Sequence, residues 1–434
     1  MLLNTSIKTL HLCTQDGSGG AARAAYRIHQ AQVATGMDSR MRVVVKGTGD
    51  ERVTGGISPL SIAARLRAKL HRRALAHSRN GWVTDNPVLH TFGDENAGLV
   101  EEINASRADI IHLHWVSGML SVTDIGRLTK PIVWTLHDMW TFCGGEHYAP
   151  DDAHARFRVG YRPDNRPFGE AGPDLNRQTW DTKRRTWADQ RFTFVSPSLW
   201  LAECARESAL VGHCPVYVIP NPLDTNYPWR PIPRDIARIA LGLPPAAKLI
   251  LMGADGGVSD PRKGGDLLRK SVVSVIEKTK GADLRVMIYG QGAPSKTEPA
   301  WPCPVHWLGA IRDDRLLALA YAAADVTVVP SRQDNLPNTA IEAQACGTPV
   351  VGFDIGGLPD IVEHQMTGWL APAFDTNSLA HGIEWVLANE PLAKALGVKS
   401  RERAVARFSP AKVAGEYLRV YQDVLQQSQV SYSA

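Results

Sequence analysis

The sequence is poor in the features that would announce a class. Six cysteines (Cys13, Cys143, Cys204, Cys214, Cys303 and Cys346) are scattered over 434 residues, and no two stand at C-x-x-C spacing. This speaks against a structural zinc site or a dithiol redox pair and points to reduced thiols in a cytosolic compartment. No apolar run approaches the roughly 20 residues a membrane helix needs, and Met1-Leu2-Leu3-Asn4-Thr5 lacks the regions of a signal peptide. The expected location is the cytoplasm. Net charge is scarce too: 48 basic and 44 acidic side chains leave +4, too little for a global attraction to nucleic acid. Any cationic function has to be local. No two aspartates are separated by a single residue, so the D-x-D clamp that holds a metal against a nucleotide diphosphate is missing. What remains, 44% hydrophobic and 21% charged residues, suits a folded chain of two large domains rather than a disordered one.

Short apolar runs recur, each followed by a glycine or polar turn and a helical pattern. In the first half they are Thr9–Cys13, Met41–Val45, Ile110–His114, Ile132–Leu136, Phe192–Val195 and Val216–Ile219. The series restarts after the proline-bearing stretch Asn221–Arg234 with Lys248–Met252, Leu284–Tyr289, Val305–Leu308, Val326–Val329 and Pro349–Phe353. Strands alternating with helices make parallel sheets, so the expected fold class is α/β. The expected division is 1–222, 223–405 and a terminal helix within 406–434 that packs back across the junction. In such sheets the ligand lies outside the carboxyl ends of the strands, here between the two domains.

Four places carry chemistry. Asp16-Gly17-Ser18-Gly19-Gly20-Ala21-Ala22 follows the first strand and opens a helix running to Gly36. Glycines let a backbone approach a ligand, and N–H groups at a helix start favour an anion. A tight strand-to-helix turn asks for the same residues, and G-x-G-x-x-G is not matched. Gly253–Gly257 through Pro261-Arg262-Lys263-Gly264-Gly265 occupies the equivalent point of the second half. There two cations and the positive end of a helix suit a diphosphate; a solvated loop is the alternative. The third place is Pro330-Ser-Arg-Gln-Asp334-Asn335-Leu336-Pro337-Asn-Thr-Ala-Ile-Glu342. Pro337 drives Leu336 out of helical geometry and itself suits a first helical position. Asp334 then lies on a loop and Glu342 in the second helical turn, both expected to point towards the mouth of the cleft, where carboxylates accept sugar or ribose hydroxyls. Fourth, Val133-Trp-Thr-Leu-His137-Asp138 puts a histidine directly after a strand, where a neutral imidazole can bind a hydroxyl or share a proton. His112 and His114 alternate along the preceding strand and suit a satisfied core or a cleft wall. A G-x-S-x-G nucleophile elbow is not found.

Two Rossmann-like halves, the Gly-Gly turn, Thr135-Leu-His-Asp138, Ile219-Pro-Asn-Pro-Leu-Asp224, Arg262-Lys263-Gly264 and the acid-x7-acid stretch together resemble the GT-B glycosyltransferases of family 4. Asp334–Glu342 with Val133–Trp140 resembles most the colanic-acid-type (WcaC-like) exopolysaccharide branch. The resemblance implies two Rossmann-like doubly wound parallel-sheet domains facing across a cleft. It also implies a retaining, metal-independent enzyme that moves a hexose from a GDP- or UDP-linked sugar to a saccharide, lipid-linked through a polyprenyl group, in cell-surface or exopolysaccharide biosynthesis. No cofactor is implied beyond the nucleotide sugar as co-substrate.

Carried over by the same resemblance, Glu342 binds the donor ribose, and Asp334 with the backbone of Asn335, Leu336 and Pro337 holds the donor sugar. Arg262 and Lys263 neutralise the departing diphosphate, Gly19 and Gly20 present amides to phosphate, and His137 contacts the transferred sugar or the acceptor. His137, Asp334, Lys263 and Glu342 form the catalytic set, with negative charge on the leaving group as the main thing to stabilise. The sequence departs from the family at three points. Asp334 replaces the usual glutamate, an arginine upstream of the loop lysine is missing near Gly256 and Gly257, and Tyr148–Asn176 holds no cysteine.

Residues 61–79 carry Arg65, Arg67, Lys69, Arg72, Arg73 and Arg79 without an acid, and Ile62, Leu66 and Leu70 recur at helical spacing. Such a helix suits an anionic membrane surface, the inner face of the plasma membrane here; a merely solvated helix has the same pattern. A sugar-nucleotide epimerase of the same fold and a non-catalytic nucleotide-sugar-binding subunit are the competing functions.

Overall fold

Runs of Val, Ile and aromatic residues apolar on both faces form the buried strands of parallel sheets. In the computed structural model, which describes residues 7–56, 79–95, 97–253, 260–279, 283–292 and 300–432, these runs make two sheets. The first contains β1 (Lys8–Gln15), β2 (Asp38–Val45), β3 (Val53–Thr54), β4 (Ile110–Leu113), β5 (Ile132–Thr135), β6 (Phe192–Ser196) and β7 (Val216–Val218), in the order β3-β2-β1-β4-β5-β6-β7. The second contains β8 (Lys248–Gly253), β9 (Leu284–Tyr289), β10 (Val305–Gly309), β11 (Val326–Val329), β12 (Val350–Phe353) and β13 (Gly368–Ala371), in the order β10-β9-β8-β11-β12-β13. Every strand pair is parallel.

Each sheet winds outward in both directions from its first strand. The order therefore reverses between β1 and β4 and between β8 and β11, the switch points outside whose carboxyl ends folds of this kind bind ligands. Strands β3 and β13 were not anticipated from the sequence. Both are short edge strands, defined by pairing with β2 and β12 rather than by an apolar run of their own.

The chain forms two compact units. Met1–Pro197, Leu201–Ile219 and Ala414–Ala434 make the first, and Ser198–Trp200 with Pro220–Val413 the second. In the second, alternate residues of β8 serve opposite faces of the sheet: Leu249 and Leu251 join one core cluster with Tyr321 and Ile341, and Ile250 and Met252 the other with Val272 and Ile383. In the first, the helix Pro410–Tyr432 brings Tyr417 and Tyr421 into the core, both 0% exposed. Tyr417 Oη lies 2.9 Å from Thr135 Oγ1 on β5, and Tyr421 Oη accepts from Gln32 Nε2 at 2.7 Å.

The segment after β5, which carries His137 and Asp138, is held by one buried ammonium. Lys183, on the helix Leu175–Thr186, donates to the carbonyls of Trp140, Cys143 (3.0 Å) and Gly144 (2.8 Å), with Nζ 3.8 Å from the centre of the Trp140 ring. A Cβ on Gly144 would collide with the Asn176 backbone, so this turn also requires glycine for a close approach. Substituting Lys183→Met leaves three buried carbonyls without their donor. It should cost about 3 kcal/mol, read as a drop of several degrees in the thermal unfolding midpoint of the full chain.

Candidate active site

In the second unit the cation loop and the acid loop lie side by side at the switch point. Pro261–Lys263 forms a single helical turn, and Gly264, at φ 68°, caps the helix Gly265–Lys278. A side chain at Gly264 would strike the carbonyl of Pro330, the first residue after β11, so the two loops touch only because this residue is glycine. Arg332 secures the contact. Its backbone N–H donates to Arg262 O at 2.7 Å, and its guanidinium grips both Asp266 oxygens at 2.8 and 2.7 Å and reaches Pro261 O at 2.6 Å. Those bonds hold the Asp266 carboxyl below its ordinary range.

Lys263 Nζ then reaches Asp334 Oδ2 at 2.6 Å, with Ser331 Oγ 3.4 Å from the same oxygen. Burial pushes the Asp334 carboxyl up, but the charges of Lys263 and Arg262 and the bonds from Lys263 and Ser331 outweigh it, so Asp334 is held below the usual carboxylate value. Arg262 donates to Asp260 Oδ2 at 3.2 Å. The two cations are thus compensated by acids of the same unit.

Asn335 and Leu336 are buried, and Asn335 Oδ1 accepts from Ser198 Oγ at 2.7 Å. A turn after β12 supports this loop: Gly357 N–H donates to Asp334 O at 3.1 Å, and side chains at Gly356 or Gly357 would strike the carbonyls of Asp334 and Asn335. Pro337 is the cap of the helix Asn338–Ala345, one place before the first helical position expected. Glu342 stands in the second turn as expected, but it is 3% exposed rather than pointing into an open mouth, and its Oε2 accepts from Tyr321 Oη at 3.0 Å. Helix packing onto the sheet turns this position inward. Residues 254–259, including Gly256 and Gly257, lie outside the described residues.

In the first unit, Gly19 at φ 84° caps the helix Gly20–Ala34, a conformation that favours glycine. Asp16 anchors the loop before it by accepting from Gly47 N (2.6 Å) and from Thr48 N (3.2 Å) and Oγ1 (2.5 Å). His137 follows β5 as expected, with Nε2 3.0 Å from His114 Nδ1. Its neighbour Asp138 pairs with His147 Nδ1 at 2.6 Å; burial pushes that carboxyl up, and His147 and the Trp140 N–H more than reverse the shift. His11, His112 and His114 are fully buried, the satisfied-core reading of the latter two. Among the described residues they are the one group close enough to share a metal ion, yet all six ring nitrogens have hydrogen-bond partners: Gln32, Tyr421, Thr135, His137, and His11 and His114 for each other.

Lys263, Arg262, Asp334, Asn335, Leu336, Pro337 and Glu342 therefore gather in one unit, and Gly19, Gly20 and His137 in the other. Sequence reasoning missed Arg332, Asp266, Tyr321, and the Gly356-Gly357 turn. The Gly356-Gly357 pair, separated from β12 by Asp354 and Ile355, was the available signal. The basic segment 61–79 lies outside the described residues except for Arg79, which is paired with Asp94 at 2.6 Å.

A doubly wound α/β unit with paired lysine and acid at its switch point belongs to the nucleotide-binding class of folds. Residues 249–389 match the glycosyl transferases group 1, and residues 18–227 match Glycosyltransferase Family 4. A D-inositol 3-phosphate glycosyltransferase of Thermobispora bispora is 30% identical over 338 residues, 74% of this chain and 72% of the relative. The chain belongs to this glycosyltransferase family. A namesake from Saccharomonospora viridis is 32% identical over 45% of this chain, and the alignment spans about half, 48%, of that relative's length. These relatives carry the inositol phosphate name rather than a colanic-acid one. Anabaena HepE, solved with UDP-glucose, superposes with a TM-score of 0.64 at 16% identity over 96% of this chain and all of that one. Sucrose-phosphate synthase from Thermosynechococcus elongatus gives 0.62 at 18% over 97% and 100%. The fold is that of the GT-B glycosyltransferases.

Burial pulls the His11 imidazole down to about 3 and the His137 imidazole to about 4, and takes His112 and His114 well below their ordinary value. Unfolded imidazoles titrate near 6.5, so as pH falls below about 6.5 the unfolded chain binds protons that the folded chain refuses, at about 1.4 kcal/mol per pK unit of separation. This stability is complete above the unfolded value and is lost as pH falls through about 4 towards 3. The unfolding temperature should drop steeply across that window, and His11→Gln should flatten the slope; an unchanged midpoint at acid pH would contradict the assignment.

Proposed function

We propose that the chain is a retaining, metal-independent hexosyltransferase that takes its sugar from a nucleotide diphosphate, UDP- or GDP-linked. The observation that carries this reading is the Lys263–Asp334 pair beside Arg262 at the switch point of the second unit. An ammonium already aligned on a carboxylate exchanges that partner for a phosphate at low cost, because its charge is compensated before and after. Glu342 takes the ribose hydroxyls, Asp334 and the backbone of Asn335, Leu336 and Pro337 the sugar, and Arg262 with Lys263 the charge that grows on the leaving diphosphate. Gly19 and Gly20 offer amides to phosphate, and His137 receives a hydroxyl of the acceptor or of the transferred sugar. The two cations and the capped helix at Gly264 do the work a divalent ion does elsewhere. UDP-glucose bound to HepE and the glycosyltransferase names of the relatives support a nucleotide-sugar donor.

The acceptor is a saccharide carried on a polyprenyl lipid, in assembly of a surface or exopolysaccharide at the inner face of the plasma membrane. The relatives' name offers D-inositol 3-phosphate as the acceptor to set against it.

Thermal shift with UDP-, GDP-, ADP- and dTDP-sugars should single out one base. With that donor, Lys263→Ala should lower kcat at least about a hundredfold, the usual size for losing one group that stabilises developing charge, and Glu342→Ala should remove donor binding while the protein stays folded. EDTA should leave turnover unchanged. Activity that disappears with EDTA and returns with manganese, or a product that is an epimerised nucleotide sugar without any acceptor, would overturn the assignment.

Residues 61–79 supply the membrane contact in this reading. Neutralising their arginines and lysine should abolish sedimentation with vesicles containing anionic lipid, an interaction that raised salt should also weaken. Equal sedimentation of both proteins would remove the membrane from the proposal.

A further inference from the structure

In the second unit two tyrosines and Glu342 form a buried row of hydrogen bonds. Tyr289 ends β9, Tyr321 stands on the helix Asp314–Ala323, and Glu342 on the helix Asn338–Ala345. Their exposures are 7%, 0% and 3%, so water is not at hand to replace a lost partner. Tyr321 Oη donates to Glu342 Oε2 at 3.0 Å, and Tyr289 Oη lies 2.5 Å from Tyr321 Oη. A phenol has one hydrogen. That of Tyr321 points at the carboxylate, so its oxygen has to accept from the Tyr289 O–H. The row therefore runs in one direction, from Tyr289 through Tyr321 to Glu342. Burial first, and then the neighbouring Tyr289 and Glu342, raise the Tyr321 phenol well above its ordinary value, so it keeps the proton that it donates.

The fold fixes both rings. Gly253, the last residue of β8, is the register partner of Tyr289, and a Cβ there would lie 1.9 Å from Cε1 and Cζ of the Tyr289 ring. Glycine at the end of β8 is what lets this ring cross the strand. Tyr321 meets the Tyr289 ring edge-on, with centroids 6.0 Å apart, and lies 6.1 Å from the Trp229 ring. Thr348 Oγ1 donates to the Tyr321 carbonyl at 2.8 Å. Phenylalanine would fill either place as well; what tyrosine adds is the pair of hydroxyls, which bond each other and Glu342. A glutamate left to rotate gives up rotamer freedom when a ligand orders it, whereas one already held by a buried donor has lost that freedom before the ligand arrives.

We propose that Tyr321 and Tyr289 are positioning residues that hold the Glu342 carboxylate in the orientation that grips a ribose, and so set how strongly the site prefers a ribonucleotide to its 2′-deoxy counterpart. The preference rests on the proposed role of Glu342 as the acid for the ribose hydroxyls; the hold on the carboxylate does not.

Titration calorimetry on the full chain with UDP and GDP, each set against its 2′-deoxy form, reads the preference. In Tyr321→Phe the ratio of ribose to deoxyribose affinity should fall about fivefold, the size of one modest hydrogen bond, while the deoxynucleotide binds as it does to wild type. Tyr289→Phe removes the donor that fixes the Tyr321 hydroxyl and should lower the ratio in the same direction; it decides the matter if Tyr321→Phe does not fold. A crystal structure of the folded variant reads the carboxylate directly, and Glu342 should leave its wild-type orientation. Glu342 unmoved in that structure, a ribose preference of the wild type that the variants keep, or an equal loss of affinity for both forms of the nucleotide would overturn the positioning role. A wild-type protein that binds neither nucleotide or shows no ribose preference, with Glu342 displaced in the variant, would count instead against Glu342 as the ribose acid.

Discussion

Lys263 and Asp334 are 71 residues apart in the chain and 2.6 Å apart in space. Their attraction, in a partly buried place where water screens it less, turns two loops into one site. β8 and β11, the strands that precede the two loops, are neighbours in the second sheet. Gly264 removes the side chain that would hold the loops apart, and Arg332 clamps them through Asp266, Pro261 and Arg262. The acid therefore compensates the charge of the lysine.

The histidine cluster of the first unit and the lysine–acid pair of the second manage buried polar groups differently. Around Lys263 the second unit keeps charges and sets them against each other. The histidine cluster His11, His112 and His114 is kept neutral by burial and satisfied through hydrogen bonds, because ionising any of the three would place an unpaired charge among buried rings. The buried ammonium of Lys183 is surrounded by three carbonyls and an aromatic face.

Much of this was legible in the sequence. The apolar runs located the interior strands because parallel strands buried on both faces must be apolar throughout. Glycine and proline marked the loops, so Asp334, Arg262, Lys263 and His137 were placed correctly after their strands. The edges β3 and β13 escaped, since two and four residues carry too little pattern. The inward turn of Glu342 escaped as well: spacing assigns a residue to a helical turn, but which side of the helix meets the sheet depends on how the helix packs.

By itself the sequence determined the strand succession, the loop chemistry and the absence of a D-x-D clamp, since these follow from residue type and local order. Only the tertiary structure decided that Lys263 meets Asp334, that Arg332 and the Gly356-Gly357 turn brace them, and that Gln32, His11, His114 and His137 form one line. Those facts depend on strand order and helix docking. Gln32 meets Tyr421 across 389 positions, and no local pattern encodes a contact whose partners are brought together only when the sheet is complete.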